Sequence, residues 1–162
     1  MPPITALLHT RNDALCLGRA LEMLLPCTDI VIVDHHSADA TLRVAREYGA
    51  RIVRADAHPA ADHYLDLARC DWILCLEPAE SISEGLQASL FEWSALADMS
   101  GAANASAFSM FVRQQTDEGW LQLPAAETRL IPRGWTRWDG RLPTREPSAI
   151  VLEGELLRFA SP

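Results

Sequence analysis

The sequence predicts an α/β protein in which a mostly parallel sheet is covered by helices on both faces. Two observations support this prediction. Short apolar runs alternate with segments of helical periodicity through roughly the first hundred residues. The chain has 162 residues, of which 49% are hydrophobic and 22% are charged. That length and composition suit one folded domain with a sizeable core rather than a disordered chain.

Four apolar runs have the length and composition of buried strands. They lie at residues 4–8, 30–33, 51–54 and 71–76. The run 30–33 (IVIV) is β-branched throughout, which is typical of a parallel strand covered on both faces. Helical periodicity predicts helices at residues 14–25, 40–48, 59–69 and from about residue 84 to residue 96. We expect Asn12 or Asp13 to cap the first helix. Ser81 or Ser83 is expected to cap the last one.

The last third of the chain has a different character. Residues 99–106 (MSGAANAS) are small and indicate a linker, and five of the ten prolines lie from Pro124 onward. We expect short antiparallel strands with irregular loops in this part. The chain is therefore predicted to be a single domain over 1–162, with one half at 1–98 and a shorter half at 107–162.

Polar residues follow three of the predicted strands at the point where each strand ends. They are residues 9–12 (HTRN), 34–37 (DHHS) and 77–80 (EPAE). In open α/β sheets, ligands bind beyond the carboxyl ends of the strands. The sequence therefore predicts a ligand site where these three segments converge.

The charge of the chain excludes one class of partner. All 14 basic residues are Arg, and the net charge is −8. Residues 1–112 carry 7 Arg against 15 acidic residues, whereas residues 113–162 carry 7 of each. Because non-specific nucleic-acid binding needs a basic face, we expect no nucleic-acid partner. We also expect no transmembrane segment and no signal peptide, because no long apolar run and no basic leader occur, and so the four cysteines are expected to be reduced.

Four motifs in residues 4–90 occur in an order and spacing that resemble the N-terminal half of family 2 glycosyltransferases, which have the GT-A fold. The resemblance is closest to the branch related to lipopolysaccharide-core glucosyltransferases. The family patterns are T-[KR]-N-E, V-D-x-x-S-x-D-x-T, A-x-x-x-G-A and G-D-W followed by L-D-A-D-E. The matching segments here are 10–13 (TRND), 33–41 (VDHHSADAT), 45–50 (AREYGA) and 70–80 (CDWILCLEPAE).

The resemblance implies a function and a donor site. It implies transfer of a sugar from a nucleotide-sugar, a UDP-sugar, to an envelope glycan or a lipid-linked acceptor in bacterial cell-envelope biosynthesis. The Asp34 carboxylate is then placed to accept the N3–H of a uracil ring. The other residues that the resemblance assigns to nucleotide-sugar binding are Thr10, Asn12, Asp13, Ser37, Asp39, Glu77 and Arg129. Ser37 and Asp39 have an alternative role as caps of the second helix, and Asn12 and Asp13 as caps of the first.

The metal motif departs from the family pattern. The family's D-x-D binds Mg²⁺ or Mn²⁺, which bridges the diphosphate, and such hard ions prefer carboxylate oxygens. Here the motif reads Glu77-Pro78-Ala79, so Glu77 and the following Glu80 are the metal ligands that the resemblance implies. The family's basic residue before the G-D-W strand is replaced by Ala61, so a phosphate-binding cation is lost there as well.

The C-terminal third matches the branch more weakly. The family pattern P-D-Y-Q-x-R-L-F-R-R-G corresponds to residues 124–134 (PAAETRLIPRG), which places Arg129 near a diphosphate. The family's H-E corresponds to Arg145-Glu146, so Glu146 is the expected general base for the acceptor hydroxyl.

Three alternatives remain open on the sequence. One is a catalytically silent GT-A-like module that binds a nucleotide, a glycan or a protein, since Ala79 replaces a metal ligand. Another is a nucleotidyltransferase-like sheet, although residues 9–12 lack the Gly-rich phosphate loop that it predicts. The third is a zinc site built from the four cysteines with His35 or His36.

The expected location is the cytoplasm, with peripheral attachment at the inner face of the membrane as a variant.

Overall fold

A computed structural model describes residues 3–57, 59–60, 62–96 and 105–161 of the chain. The helices are α1 (Ala14–Glu22), α2 (Thr41–Glu47) and α3 (Glu84–Leu96), with a 3₁₀ turn at His63–Leu67. The strands of the first half are β1 (Ile4–Thr10), β2 (Asp29–Asp34), β3 (Arg51–Arg54), β4 (Trp72–Leu76) and β5 (Glu80–Ile82). Those of the second half are β6 (Phe108–Thr116), β7 (Gly119–Gln122), β8 (Glu127–Pro132), β9 (Trp138–Asp139), β10 (Leu142–Pro143) and β11 (Ile150–Arg158).

One sheet carries most of the strands, and its order is β3-β2-β1-β4-β8-β6-β11-β5, with β7 paired to β6. The first four strands of this order are mutually parallel, as predicted. Strand β8 pairs antiparallel with both β4 and β6, so it joins the N-terminal strands to the C-terminal ones. Strands β9 and β10 form a separate two-stranded ribbon. The predicted mostly parallel α/β fold class is confirmed.

Alternating side chains explain why the central strands are apolar throughout. In β2, Ile32 packs into a cluster with Leu8 and Leu17 on one face of the sheet. Its neighbours Val31 and Val33 pack on the other face. Because helices or loops cover both faces, polar residues are left to the strand ends. The carboxyl ends of β1, β2 and β4 therefore carry the polar side chains of the site.

Two local predictions were wrong. The predicted helix at 59–69 is only the 3₁₀ turn His63–Leu67, where Tyr64 and Leu65 are both buried in succession. Two adjacent buried residues do not form the repeating apolar stripe that a longer helix needs. The C-terminal strands are not all antiparallel, because β11 runs parallel to β6.

Other predictions are confirmed or lie outside the described residues. Ser83 caps α3, since its hydroxyl accepts the backbone N–H of Leu86 at 3.1 Å. Most of the predicted linker at 99–106 lies outside the described residues, which resume at Ala105. Within the part of the chain that the structure describes, no helix has the length and apolarity to cross a membrane.

Candidate functional site

Asp34 and Thr10 are opposite each other at the carboxyl ends of β2 and β1. The Thr10 hydroxyl donates to Asp34 Oδ1 at 2.8 Å, and the Ser37 hydroxyl donates to the same oxygen at 2.6 Å. Asp34 Oδ2 accepts the backbone N–H of Ser37 at 2.9 Å. Burial opposes ionisation of Asp34, but the hydrogen bonds from Ser37 and Thr10 outweigh it and lower the pKa of the carboxyl. Asp34 is therefore held ionised at neutral pH.

Asn12 joins the loop after β1 to the loop after β2. Its backbone N–H donates to Ser37 Oγ at 2.9 Å, and its Oδ1 accepts the backbone N–H of Ala38 at 2.7 Å. Asn12 has a positive φ of 54°, a left-handed conformation that Asn tolerates better than most residues. The side chain thus serves to hold the two loops at a fixed spacing.

Asp39 and Asp13 connect the starts of the first two helices. Asp39 Oδ2 accepts the N–H of Ala14 at 3.2 Å, and its Oδ1 accepts the N–H of Thr41 at 2.9 Å, so it serves both α1 and α2. Asp13 donates its own N–H to the Thr41 hydroxyl at 2.8 Å, and its carboxylate caps no helical N–H. The structure thus brings six of the predicted residues into one network: Thr10, Asn12, Asp13, Asp34, Ser37 and Asp39.

A cavity of about 260 Å³ opens beside this network, beyond the ends of β1 and β4. Its polar lining comes from three separate parts of the chain. His9, Arg11 and Asp13 come from the end of β1, Glu77 from the turn after β4, and Arg141 from the turn between β9 and β10. Among the predicted site residues, Asp13 and Glu77 reach this lining.

A second cavity of about 220 Å³ adjoins the first, because His9 and Arg141 line both of them. Its remaining walls are mainly flat or apolar and include His35, Tyr64 and Pro59. The ring centroids of His9 and His35 are 5.1 Å apart, and those of His9 and Tyr64 are 5.4 Å apart. The two cavities together form a cleft with His9 and Arg141 at their boundary.

His9 is held neutral at this boundary. Burial, followed by the charge of Arg141 and the proximity of His35, lowers the pKa of His9 to about 4. Nδ1 of His9 is 2.8 Å from Nε2 of His35, and a guanidinium nitrogen of Arg141 is 3.5 Å from Nδ1 of His35. With Arg141 facing Nδ1 of His35, the consistent arrangement has His35 Nε2–H donating to His9.

Glu80 and Arg129 form a buried ion pair instead of lining the cleft. Both residues are 0% exposed, and Arg129 donates to the two Glu80 oxygens at 2.6 and 2.8 Å. Arg158 and the N–H of Glu77 complete the carboxylate's partners at 2.9 Å each. Burial opposes ionisation of Glu80, but Arg129 outweighs it and lowers the pKa of the carboxyl. Glu80 therefore has no open oxygen for a metal ion, and the Arg129 guanidinium already binds Glu80 and Glu127.

Glu146 lies in a separate cluster and lines neither cavity. One of its oxygens is 2.5 Å from Arg137, and the other accepts the Ser148 hydroxyl at 2.7 Å. The hydrogen bonds from Ser148, followed by the interaction with Arg137, lower the pKa of Glu146. A role as general base stays a prediction.

The residues of the cleft do not form a divalent-metal site of the kind that the fold family implies. Glu77 lines the cavity, but Ala79 provides no second carboxylate, and Glu80 is fully engaged. Within the described residues, no group of three or more His, Cys, Asp or Glu side chains is arranged to hold a metal ion. The same finding speaks against the zinc site, because the described cysteines and histidines form no such group either. Ala61 lies outside the described residues.

Comparison with known proteins identifies the fold and no more. No protein-family model and no curated protein sequence match the chain. Among solved structures, S. aureus TarS in complex with UDP-GlcNAc superposes with a TM-score of 0.73 at 12% identity, over 99% of this chain and 59% of that one. Glucosyl-3-phosphoglycerate synthase from Mycobacterium tuberculosis, in complex with Mn²⁺, UDP and glucosyl-3-phosphoglycerate, superposes with a TM-score of 0.52 at 14% identity. The match covers 68% of this chain and 44% of that one.

The chain therefore has a GT-A glycosyltransferase fold. It spans less than two thirds of the length of each of these two structures.

The sequence did not point to Tyr64 or Arg141, which both belong to the lining of the cleft. Tyr64 lies in the segment that was predicted to be a helix, and nothing in the neighbouring sequence indicates that it lines a cavity. Arg141 lies in the turn between β9 and β10, and no local pattern in the sequence indicates that this turn folds over β1. The described structure brings it there because β10 packs against β4 and β8.

Proposed function

We propose that the chain binds a UDP-sugar in the two-cavity cleft and transfers the sugar to a glycan or lipid-linked acceptor, as a member of the family 2 branch that its motifs resemble. The observation that carries the proposal is the pair of adjoining cavities at the carboxyl ends of β1, β2 and β4. Ligands of open α/β sheets bind at that edge. Solved structures that share the fold hold UDP or UDP-GlcNAc, which supports a ligand of this class.

The smaller cavity is the proposed site of the uracil ring. His9, His35 and Pro59 provide flat surfaces against which a base can stack, and the buried Tyr64 packs against His9. Stacking of a base on an aromatic side chain contributes about 1–3 kcal/mol. Asp34 is buried and lines neither cavity, but it directly precedes His35, and its Oδ2 accepts one hydrogen bond within the described structure. An ionised carboxylate oxygen can accept more than one, so Asp34 retains capacity for the uracil N3–H.

The larger cavity is the proposed site of the sugar. Glu77 and Asp13 provide carboxylates at its rim, and carboxylates accept hydrogen bonds from sugar hydroxyls. In the transfer, an acceptor oxygen forms a bond to the anomeric carbon while the bond from that carbon to the β-phosphate oxygen breaks. The electron pair of the broken bond goes to the leaving diphosphate, and the acceptor's proton goes to a base.

Glu146 is the base that the family pattern suggests, and this role remains a proposal. It would have to exchange its interaction with Arg137 for one with the acceptor hydroxyl. An acceptor of the proposed class would place the reaction in the cytoplasm or at the inner face of the membrane.

Two histidines that are adjacent in sequence provide a matched test of the base site. His35 lines the smaller cavity, whereas His36 is exposed and lines neither cavity. We expect His35→Asn to weaken UDP binding about tenfold in a calorimetric titration and His36→Asn to leave it unchanged. The proposal fails if the natural chain binds neither UDP nor any UDP-sugar, or if ADP binds as tightly as UDP.

A catalytically silent binding module is the second candidate. The observation that favours it is the full engagement of Glu80 by Arg129 together with Ala79 in place of a metal ligand. A double change, Glu77→Asp with Ala79→Asp, separates a decayed metal site from one that is complete as it stands. Metal-dependent UDP binding that appears only in the double variant favours decay. Transfer or hydrolysis of a UDP-sugar by the natural chain excludes the silent module.

A further inference from the structure

We infer that Arg11 and Arg141 bind the diphosphate of the donor directly, so that the cleft functions without a divalent metal ion. This inference rests on the proposed function and deepens it, since it specifies how the most highly charged part of the donor is held. The fold family implies a metal at this place, but the described residues provide no group that could hold one.

Arg141 lies where the two cavities meet. It lines both of them, with a guanidinium nitrogen 3.5 Å from Nδ1 of His35. In a UDP-sugar the diphosphate connects the nucleoside to the sugar. If the base occupies one cavity and the sugar the other, the diphosphate must cross the boundary where Arg141 lies.

Arg11 provides a second guanidinium group at the larger cavity. It lines the larger cavity from the loop after β1, whereas Arg141 comes from the turn after β9. Both side chains are exposed at the cleft, and neither forms a salt bridge with any residue that the structure describes. Their guanidinium groups are therefore available to a ligand. Arg129, the arginine that the sequence suggested for the diphosphate, is by contrast buried against Glu80.

The charge balance of the lining supports the same assignment. Glu77 and Asp13 bring two negative charges to the larger cavity, and without a cation they would repel a diphosphate. Arg11 and Arg141 bring two positive charges to the same lining. A guanidinium has five N–H donors in a planar fork and binds phosphate oxygens in pairs, which gives both charge and geometry. The electrostatic effect of Arg141 already reaches His9 and His35, since its charge contributes to lowering the pKa of each.

The chemical role follows from this position. When the bond between the anomeric carbon and the β-phosphate oxygen breaks, negative charge grows on that oxygen. Fixed N–H donors beside a developing charge stabilise the transition state without rearranging. The arginines transfer no proton, because a guanidinium stays protonated in this pH range.

The test is calorimetric titration of the full chain with UDP, UMP and uridine, each in EDTA and again in excess Mn²⁺. We expect UDP to bind equally well in both buffers, and more tightly than uridine. Arg141→Gln should weaken UDP binding about tenfold or more while leaving uridine binding unchanged. Arg141→Lys keeps the charge but loses the planar fork of donors. Its UDP affinity should lie between those of the natural chain and of Arg141→Gln. Arg11→Gln should also weaken UDP selectively, and Arg145→Gln, an exposed arginine of the same C-terminal region that lines neither cavity, is the matched control.

The outcomes separate the two proposals. If UDP binds only in Mn²⁺, or if Arg141→Gln and Arg141→Lys both bind UDP as the natural chain does, the arginine inference is overturned while the proposed function stands. If neither uridine nor UDP binds in any buffer, the proposed function fails and the inference fails with it. Equal binding in both buffers with a selective loss in the Arg141 variants supports both.

Discussion

Thr10 and Asp34 are opposite each other at the carboxyl ends of β1 and β2, and the Thr10 hydroxyl donates to the Asp34 carboxylate at 2.8 Å. The same pairing recurs at the other end of these two strands. There Thr5 is opposite Asp29 and donates to it at 2.8 Å as well. Asp29 also binds Arg51, at 2.8 Å. The two pairs are chemically alike, but only the Thr10–Asp34 pair lies at the edge of the sheet where ligands bind.

This likeness supplies the first prediction, a comparison of Asp34→Asn with Asp29→Asn. We expect Asp34→Asn to weaken UDP binding about tenfold, because it replaces an ionised acceptor for the uracil N3–H with a neutral amide. Asp29→Asn should leave UDP affinity unchanged but lower the free energy of unfolding by about 2 kcal/mol, because Arg51 loses its charged partner. Calorimetry and urea denaturation measure the two effects. Equal loss of UDP affinity in both variants would show that the Asp34 effect is structural.

Glu77 provides the second prediction, which concerns the sign of an effect. If Arg11 and Arg141 hold the diphosphate, Glu77 opposes its binding, and Glu77→Gln should raise UDP affinity a few-fold. If Glu77 instead binds a metal that bridges the diphosphate, the same change should reduce UDP affinity. Titration of the variant with UDP in EDTA and in Mn²⁺ measures the direction, and a loss confined to the Mn²⁺ buffer would contradict the arginine account.

The buried Glu80–Arg129 pair leads to a third prediction, on stability. Glu80→Gln removes the fully buried partner of Arg129 and leaves only the partly exposed Glu127, and breaking a buried pair in this way costs about 3–5 kcal/mol. Glu77→Gln is the matched control, because Glu77 lies three residues earlier, at the cavity rather than in the core. We expect urea denaturation to show a large loss for Glu80→Gln and little change for Glu77→Gln. A stable Glu80→Gln variant would mean that the carboxylate is not the structural partner that its contacts indicate.

The fourth prediction concerns pH and follows from His9. Its pKa of about 4 in the folded chain is below the ordinary 6.5, so the unfolded chain binds a proton first as the pH falls. The free energy of unfolding should therefore be highest above about pH 6.5 and should decrease as the pH falls toward 4, by about 3 kcal/mol from this group. Carboxylates with lowered pKa values add to the loss only below about pH 4.5.

Arg141→Gln provides the control for that pH dependence. Removing the guanidinium charge should raise the pKa of His9, which is visible in an NMR titration of the imidazole signals. The decrease in stability between pH 6.5 and 5 should become smaller in the variant. An unchanged His9 titration would show that Arg141 is not close enough to act on the boundary of the two cavities.

The central strands could be predicted from the sequence because burial on both faces leaves a continuous apolar run. The run 30–33 falls inside β2, and β3 has the predicted bounds. Strand β5 could not be predicted, since it begins with Glu80, whose charge is compensated by Arg129 far along the chain. A short strand with a charged first residue has no local signal when its partner comes from a distant element.

The candidate site was predicted in part for a related reason. Residues 10–13 and 33–41 carry motifs whose hydrogen bonds are local to two neighbouring loops, and the structure brings them together as one network. The cavity walls depend on longer-range packing. Arg141 reaches the cleft only because the β9–β10 ribbon folds back over the ends of β1 and β4, and no spacing in the sequence encodes that contact.

A crystal structure of the chain with UDP bound tests the central claim most directly. The account predicts that the uracil ring lies against His9 and His35, and that the diphosphate contacts Arg141 at the boundary of the two cavities. UDP bound elsewhere on the chain, or held with its diphosphate away from Arg141, would contradict the account.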